Sequence, residues 1–163
     1  MLFRSHIVVG INLEQKKEYP QAIAELEKAY ELAGQNPLIL SPLGSCYGGS
    51  GNKEKALSLL HRLNEAATQA YVAPMSWVML YLGVGDTENA FEWLEKAAEA
   101  RDILLYYLKV GPIYDSIRDD PRYADLLHRI GLGDEESLSQ LRTVTEHAGK
   151  AVRSSRSGSE SES

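Results

Sequence analysis

Residues 48–53, which read Gly-Gly-Ser-Gly-Asn-Lys, have the composition of a loop that could hold a phosphate. Glycine-rich backbone amides can wrap an anion, but a P-loop also needs Ser or Thr directly after its lysine and a buried strand before the loop. Glu54 follows Lys53, and no strand-like alternation precedes the segment. We therefore interpret residues 48–53 as a turn between two helices and not as a nucleotide site.

Ser50 and Lys53 also have the Ser-x-x-Lys spacing of some acyl-transfer enzymes, but the motifs that accompany it in those enzymes are missing. The four histidines lie in different parts of the chain, and none is paired with His or Cys at the spacing of metal ligands. They are His6, His61, His128 and His147. The sequence therefore predicts no metal site and no acyl-transfer site.

The single cysteine and the acidic pairs have structural interpretations. Cys46 precedes Tyr47 and is expected to be a small buried apolar residue. Glu25 with Glu27 fits a solvated helix face, and Asp119 with Asp120 fits a helix cap. We predict a non-enzymatic chain with no catalytic residue, no cofactor-binding residue and no cofactor.

The elements that carry these residues repeat with a fixed period. Alanines recur at 34-residue intervals, at positions 22, 56 and 90, and each is followed four residues later by leucine. Apolar residues spaced by three or four indicate amphipathic helices, and small residues let two helices approach closely. Equivalent positions are also occupied by Gly10, Gly44 and Val78, by Leu13, Tyr47 and Tyr81, and, at the expected turn, by Lys17, Gly51 and Gly85. The period predicts repeated helix-turn-helix units that share a core.

The second unit resembles the tetratricopeptide repeat (TPR) family, whose pattern has Leu-Gly, Tyr three residues later, and Ala with a large apolar residue four beyond it. Leu43, Gly44, Tyr47, Ala56 and Leu60 match it. The resemblance covers about residues 3–104. It implies an all-α fold in which helix-turn-helix repeats stack as a right-handed superhelix, and it implies a scaffold that binds proteins.

The unit boundaries follow from this register: about 3–36, 37–70 and 71–104, with a C-terminal helical cap at 105–132. Pro42 falls where the first helix of the second unit should run, and an interior proline costs roughly 3 kcal/mol. We expect that helix to begin late, with Ser41 as its N-cap and Pro42 in its first turn.

Residues 71–132 also resemble the C-terminal TPR segment of bacterial signalling proteins. The similarity lies in residues 71–74 (Tyr-Val-Ala-Pro), residues 90–97 around Trp93, and residues 119–132 from Asp-Asp-Pro to Gly-Leu. Asp120 with Pro121 begins a helix, and Gly131 ends it. This helix is expected to cover the last repeat.

The two ends of the chain differ in pattern. Met1 leads directly into repeat-like sequence without an atypical capping unit, so the chain could be part of a longer protein. Residues 133–152 could form a further amphipathic helix. Residues 153–163, Arg-Ser-Ser-Arg-Ser-Gly-Ser-Glu-Ser-Glu-Ser, have nothing to bury and are predicted to be disordered.

The family's binding surface is a concave groove lined by the first helix of each pair. Carried over residue by residue, the resemblance implies that the groove is lined by Ile7 and Ile11, by Ser41 and Ser45, and by Met75 and Met79. The Lys and Asn residues with which some family members grip a C-terminal carboxylate are absent from these positions. Two interpretations remain open: the groove binds a peptide or helix of a partner protein, or a helix of the chain itself fills it.

Charge and composition limit the setting. With 17 basic and 23 acidic residues, the net charge of −6 argues against direct nucleic-acid binding. A single cysteine is consistent with a reducing cytoplasm, and no apolar run approaches the roughly 20 residues that span a bilayer. We expect a cytoplasmic interaction scaffold, with one alternative: the C-terminal regulatory part of a larger kinase, nucleotide cyclase or winged-helix regulator whose active domain lies upstream.

Overall fold

The computed structural model describes residues 2–133. Within this range the chain forms seven α-helices, three 3-10 helices and no strand. The predicted all-α, helix-turn-helix architecture is confirmed. The α-helices are α1 (Leu2–Gln15), α2 (Tyr19–Leu32), α3 (Leu40–Gly49), α4 (Lys53–Ala67), α5 (Met75–Val84), α6 (Thr87–Glu99) and α7 (Pro121–Arg129); the 3-10 helices are η1 (Pro37–Ile39), η2 (Ile103–Lys109) and η3 (Pro112–Ile117).

The repeated small residues lie where helices of a pair meet. Ala22, Ala56 and Ala90 are completely buried in α2, α4 and α6. Gly10 of α1 faces α2 so closely that an added Cβ would lie 2.6 Å from a Leu26 side-chain atom. A small residue at these positions is therefore required for the two helices of a pair to come together.

The turns inside the three pairs share one backbone conformation. Lys17, Gly51 and Gly85 have φ values of 61°, 86° and 81°, in the left-handed region. Glycine adopts this region without a steric penalty, whereas an L-residue such as Lys17 pays about 1–2 kcal/mol. The 34-residue period thus extends to the backbone of the turn.

The second unit begins differently from the prediction in one respect. The expected late start is present, because α3 begins at Leu40 and Pro42 lies in its first turn, where a missing N–H is tolerated. Ser41, however, is not the N-cap. The preceding 3-10 turn continues directly into α3, and the capping side chain is Asn36, whose Oδ1 accepts a hydrogen bond from Leu38 N at 3.0 Å.

Helices α3 and α5 make a contact between backbones. A Cβ added to Gly48 would lie 2.0 Å from the carbonyl oxygen of Gly83, and one added to Gly44 would lie 1.9 Å from a Leu80 methyl carbon. All residues from 40 to 47 are buried, including Pro42 and both serines of α3. The first helix of the second unit is therefore enclosed on every side along most of its length.

Two polar side chains, Asp102 and Trp77, hold helix α5 of the third unit in place. The buried Asp102 side chain accepts hydrogen bonds from Met75 N and Leu104 N, each at 3.0 Å, so it connects the start of α5 with the start of η2. Trp77 Nε1 donates to Asn64 Oδ1 of α4 at 2.7 Å, and the Trp77 ring stacks on Trp93 of α6 with centroids 4.2 Å apart. These contacts fix α5 against α4, α6 and the start of η2.

The chain divides into two compact units after Ser116. The compact part that follows Ser116 contains α7, which begins as predicted. Asp120 is the N-cap, its side chain accepts a hydrogen bond from Arg122 N at 2.9 Å, and Pro121 is the first helical residue. Tyr123, Leu126 and Leu127 of α7 are buried. The predicted helix at 133–152 and the predicted disordered tail at 153–163 lie outside the described residues, apart from Gly133.

Candidate functional site

One face of α1 presents apolar side chains to solvent. On the helical period of about 3.6 residues, Arg4, Ile7, Val8, Ile11 and Glu14 share this face. Val8 is 58% exposed, Arg4 is exposed, and the other three are half-buried. We call these five residues the α1 face.

Packing on the other side of the helix orients this face. Gly10 meets Leu26 and the Ala22 carbonyl of α2, and His6 Nδ1 lies 2.5 Å from Glu25 Oε2 of the same helix. These contacts hold α1 on α2 through the side away from Val8 and Ile11. The neighbouring Val9, 46% exposed, points in a third direction, more than a quarter turn away from Val8.

The six residues implied as groove lining are not equally accessible. Ile7, Ile11 and Met79 are half-buried, but Ser41, Ser45 and Met75 have only 3%, 5% and 0% of their surface exposed. These three side chains are therefore not accessible in the described part of the chain, and the role of the six residues as a groove lining remains a prediction. The accessible part of the predicted surface lies on α1 and at Met79.

The edge of the α1 face carries a carboxylate. Ser45 Oγ of α3 donates a hydrogen bond to Glu14 Oε1 at 2.5 Å, which links the first helices of two successive units. Burial raises the pKa of Glu14 to about 6, and the hydrogen bond from Ser45 offsets part of that rise. In the described part of the chain, no Lys, Arg or His side chain lies within ion-pair distance of Glu14.

Two further titratable groups surround Glu14. Burial, and then the negative charge of Glu14, raise the pKa of Tyr19 in α2 and of the Cys46 thiol in α3. Both groups are consequently neutral at neutral pH. Cys46 is buried with a free thiol, as expected from the sequence.

Helix α3 also carries one polar side chain, Ser41, whose hydrogen-bonding capacity is unmet among the described residues. Ser41 lies one helical turn before Ser45 on the same face of α3. Its Oγ is buried and has no hydrogen-bond partner among the described residues. Buried hydroxyl groups nearly always have a hydrogen-bond partner. An apolar side chain at position 41 would fill the same space without leaving a hydroxyl unpaired.

Sequence reasoning missed Glu14. Its spacing of three from Ile11 places it on the same helix face, and this spacing was the available signal. Nothing in the sequence, however, indicated that Ser45 would reach it from α3, since that contact depends on how two units stack.

The other candidate chemical groups have structural roles in the described part of the chain. Residues 50–52 form the turn between α3 and α4, where Asn52 caps α4 and Ser50 Oγ donates to the Tyr47 carbonyl. His61 lies on the surface beside Glu65. No group of three His, Cys, Asp or Glu side chains between residues 2 and 133 is arranged to hold a metal ion.

Polar contacts also join α2 of the first unit to α3 and α4 of the second unit. Arg62 of α4 donates to Tyr30 Oη of α2 at 2.6 Å and lies over the Tyr30 ring. Tyr47 donates to Glu27 and accepts from Lys55 Nζ. These residues are already engaged with one another, so they contribute to the packing between units.

Comparison with known proteins gives one match. A family model described as tetratricopeptide repeat matches residues 13–75, from the last turn of α1 to the first residue of α5. No curated protein and no solved structure matches the chain. No helix among residues 2–133 is long and apolar enough to cross a membrane.

Proposed function

Since residues 13–75 match the tetratricopeptide repeat family model, we propose that the chain is a non-enzymatic protein-interaction module that binds a segment of a partner protein along the α1 face. Tetratricopeptide repeats generally mediate interactions between proteins and are typically not catalytic. The α1 face is the surface on which we place the partner. This face contains accessible residues of the groove that the sequence implied.

The observation that carries the proposal is the exposed apolar surface of α1. Val8 is 58% exposed, and Ile7 and Ile11 beside it are half-buried. Burying such side chains contributes about 25 cal/mol for each Å² of apolar surface removed from water. A peptide or helix with apolar residues at matching spacing would gain this energy without any rearrangement of the repeats.

The test is affinity capture from an extract of the source cells with matched variants. We expect the wild-type chain to retain a partner and the double variant Val8→Glu and Ile11→Glu to lose it, because two carboxylates on the α1 face must be desolvated when the partner binds. Val9→Glu is the control, since it adds the same charge to the same helix on another face. Circular dichroism of each variant establishes that the helices are intact.

Two results would contradict the proposal. If Val9→Glu abolishes capture while the double variant still binds, the partner lies on the Val9 side of α1 and not on the α1 face. If all variants retain the partner equally, binding does not involve α1. Met75 is unsuitable for this test because it is completely buried, and a carboxylate there would disturb the fold itself.

We further propose that the module acts in bacterial signalling or regulation, in the cytoplasm. The resemblance of residues 71–132 to the C-terminal segment of bacterial signalling proteins supports the pathway, and the single cysteine, a buried free thiol, supports a reducing compartment. Sequencing the complete reading frame tests whether the chain serves a larger protein. A kinase, cyclase or winged-helix domain in the same frame would make it the regulatory part of that protein.

A further inference from the structure

Glu14 gives the α1 face a chemical preference. Its carboxylate stands between the apolar residues of α1 and the Ser45 hydroxyl of α3, and it receives a single side-chain hydrogen bond. A partly desolvated carboxylate is stabilised by a cation or by several donors. The described part of the chain supplies one donor and no cation.

The surroundings of Glu14 leave its charge uncompensated. Tyr19 of α2 and Cys46 of α3, the titratable groups that interact with it, are both neutral at neutral pH. Arg4 shares the α1 face but lies ten residues earlier, about 15 Å away along the helix axis. Residues 2–133 therefore do not supply the positive charge that this position favours.

Helix α3, which carries Ser45, also holds a second buried serine. Ser41 of α3 keeps a buried hydroxyl without a partner, one turn from Ser45. Purely structural packing would favour an apolar residue at such a position. Ser45, which donates to Glu14, and Ser41, which has no partner among the described residues, therefore lie on neighbouring turns of α3.

We propose that Glu14 determines specificity on the α1 face by pairing with a lysine or arginine side chain of the bound partner segment. The inference rests on the proposed function, since it assumes that a partner lies on this face. The apolar part of the segment would cover Val8 and Ile11, and its cation would lie one turn further along, at Glu14. The net charge of −6 also favours the approach of a basic segment.

The experiment uses a synthetic library of twelve-residue peptides in which each position in turn is fixed as Lys, Arg, norleucine or Glu. Norleucine keeps the aliphatic length of lysine without its charge, so the comparison isolates the cation. We expect the wild-type chain to prefer Lys or Arg over norleucine by about tenfold at one position. Glu14→Gln should reduce that preference to about twofold or less while leaving apolar preferences elsewhere in the peptide unchanged.

Glu18→Gln is the matched control. Glu18 is exposed, lies just beyond α1 and makes no side-chain cap with α2, so this variant changes the net charge equally without touching the α1 face. It should keep the wild-type preference. A loss in both variants would show that overall charge, and not Glu14, attracts the peptide, and this would overturn the inference.

The pH gives a second readout. Because Glu14 protonates at about pH 6 in the free protein, the preference for Lys or Arg should weaken as the pH falls below about 6, while these side chains stay charged. In Glu14→Gln the profile should be flat. A wild-type profile equally flat between pH 5 and pH 8 would overturn the inference.

The remaining outcomes separate this inference from the proposed function. Peptides that bind in a Val8-dependent way but show no cation preference overturn the role of Glu14 and leave the interaction surface intact. A library without binders overturns both. Spermidine is tested alone: if it binds in a Glu14-dependent way and the peptides do not, the site takes a small polyamine and the peptide proposal is wrong.

Discussion

Glu14 is destabilising to the free protein at neutral pH, because burial removes water from its carboxylate and Ser45 returns a single hydrogen bond. Its pKa of about 6 lies above the ordinary value of 4.5, so between these pH values the folded state binds more protons than the unfolded state. The contribution of Glu14 to the free energy of unfolding therefore falls as the pH rises from 4.5 to 6 and stays low above pH 6. The cost at neutral pH is about 2 kcal/mol.

Replacing Glu14 by Gln should accordingly stabilise the protein at pH 7 by roughly 1–2 kcal/mol, since the amide carbonyl can still accept from Ser45 without carrying a charge. The gain should vanish below pH 4.5, where Glu14 is protonated in both states. Urea denaturation at pH 4 and pH 7 measures both values. Glu18→Gln provides the comparison, and a gain that is the same at both pH values would show that charge at Glu14 is not the cause.

At the scale of elements, the helix crossing between α3 and α5 depends on the absence of side chains. Gly48 approaches the backbone carbonyl of Gly83, and backbone cannot rotate aside as a side chain can. Gly49, the next residue, would place an added Cβ 2.6 Å from the Tyr19 ring, which is a movable side chain. The two glycines lie in the same last turn of α3, so they form a natural comparison.

Gly48→Ala should destabilise the protein by roughly 2 kcal/mol or more, because α3 and α5 must separate. Gly49→Ala should cost clearly less, since the Tyr19 ring can shift and alanine favours the helix by up to about 1 kcal/mol. Chemical denaturation of both variants decides the matter. Equal losses would mean that the backbone contact between the helices is not what limits this position.

The sequence predicted the helical elements well where a local pattern specified them. The recurring alanines were expected at helix contacts, and Ala22, Ala56 and Ala90 are completely buried. The prediction that Ser41 is the N-cap of α3 was wrong, because a 3-10 turn capped by Asn36 runs directly into this helix. Two adjoining helical segments need no cap between them. Local patterns identify helices more securely than they identify the junction of two short segments.

The proposed binding surface was less predictable because it depends on contacts between units. Family positions implied that Ser41, Ser45 and Met75 line a groove, but these side chains are almost completely buried. The hydrogen bond of Glu14 with Ser45, which lies 31 positions later in the chain, had no signal in the sequence. Such a pairing is a property of the stack and cannot be read from either helix alone.

At the scale of the whole molecule, each repeat is joined to the next by specific contacts. Ser45 reaches Glu14, Arg62 reaches Tyr30, and Trp77 reaches Asn64. In repeat proteins such contacts between neighbours supply much of the stability, because one helix pair cannot bury its own apolar face. A short array of this kind is expected to unfold as a unit.

The two tryptophans offer a test of this cooperativity, since both Trp77 and Trp93 belong to the third unit. Tryptophan fluorescence should report the unfolding of that unit, whereas far-ultraviolet circular dichroism reports all helices. We expect the two urea transitions to coincide. If fluorescence changes at a higher urea concentration than half of the helical signal, the α1–α2 pair unfolds separately and the units are energetically independent.

The contact between Gly48 and Gly83 also has a consequence for evolution. A substitution at either position alone meets backbone from the facing helix, so neither glycine can drift toward another residue while this crossing is kept. Gly44 is restricted in the same sense, because a Cβ added there would lie 1.9 Å from a Leu80 methyl carbon. Chains that keep all three glycines, and an acidic residue at the position of Glu14, are the ones in which the same surface and the same partner chemistry should be sought.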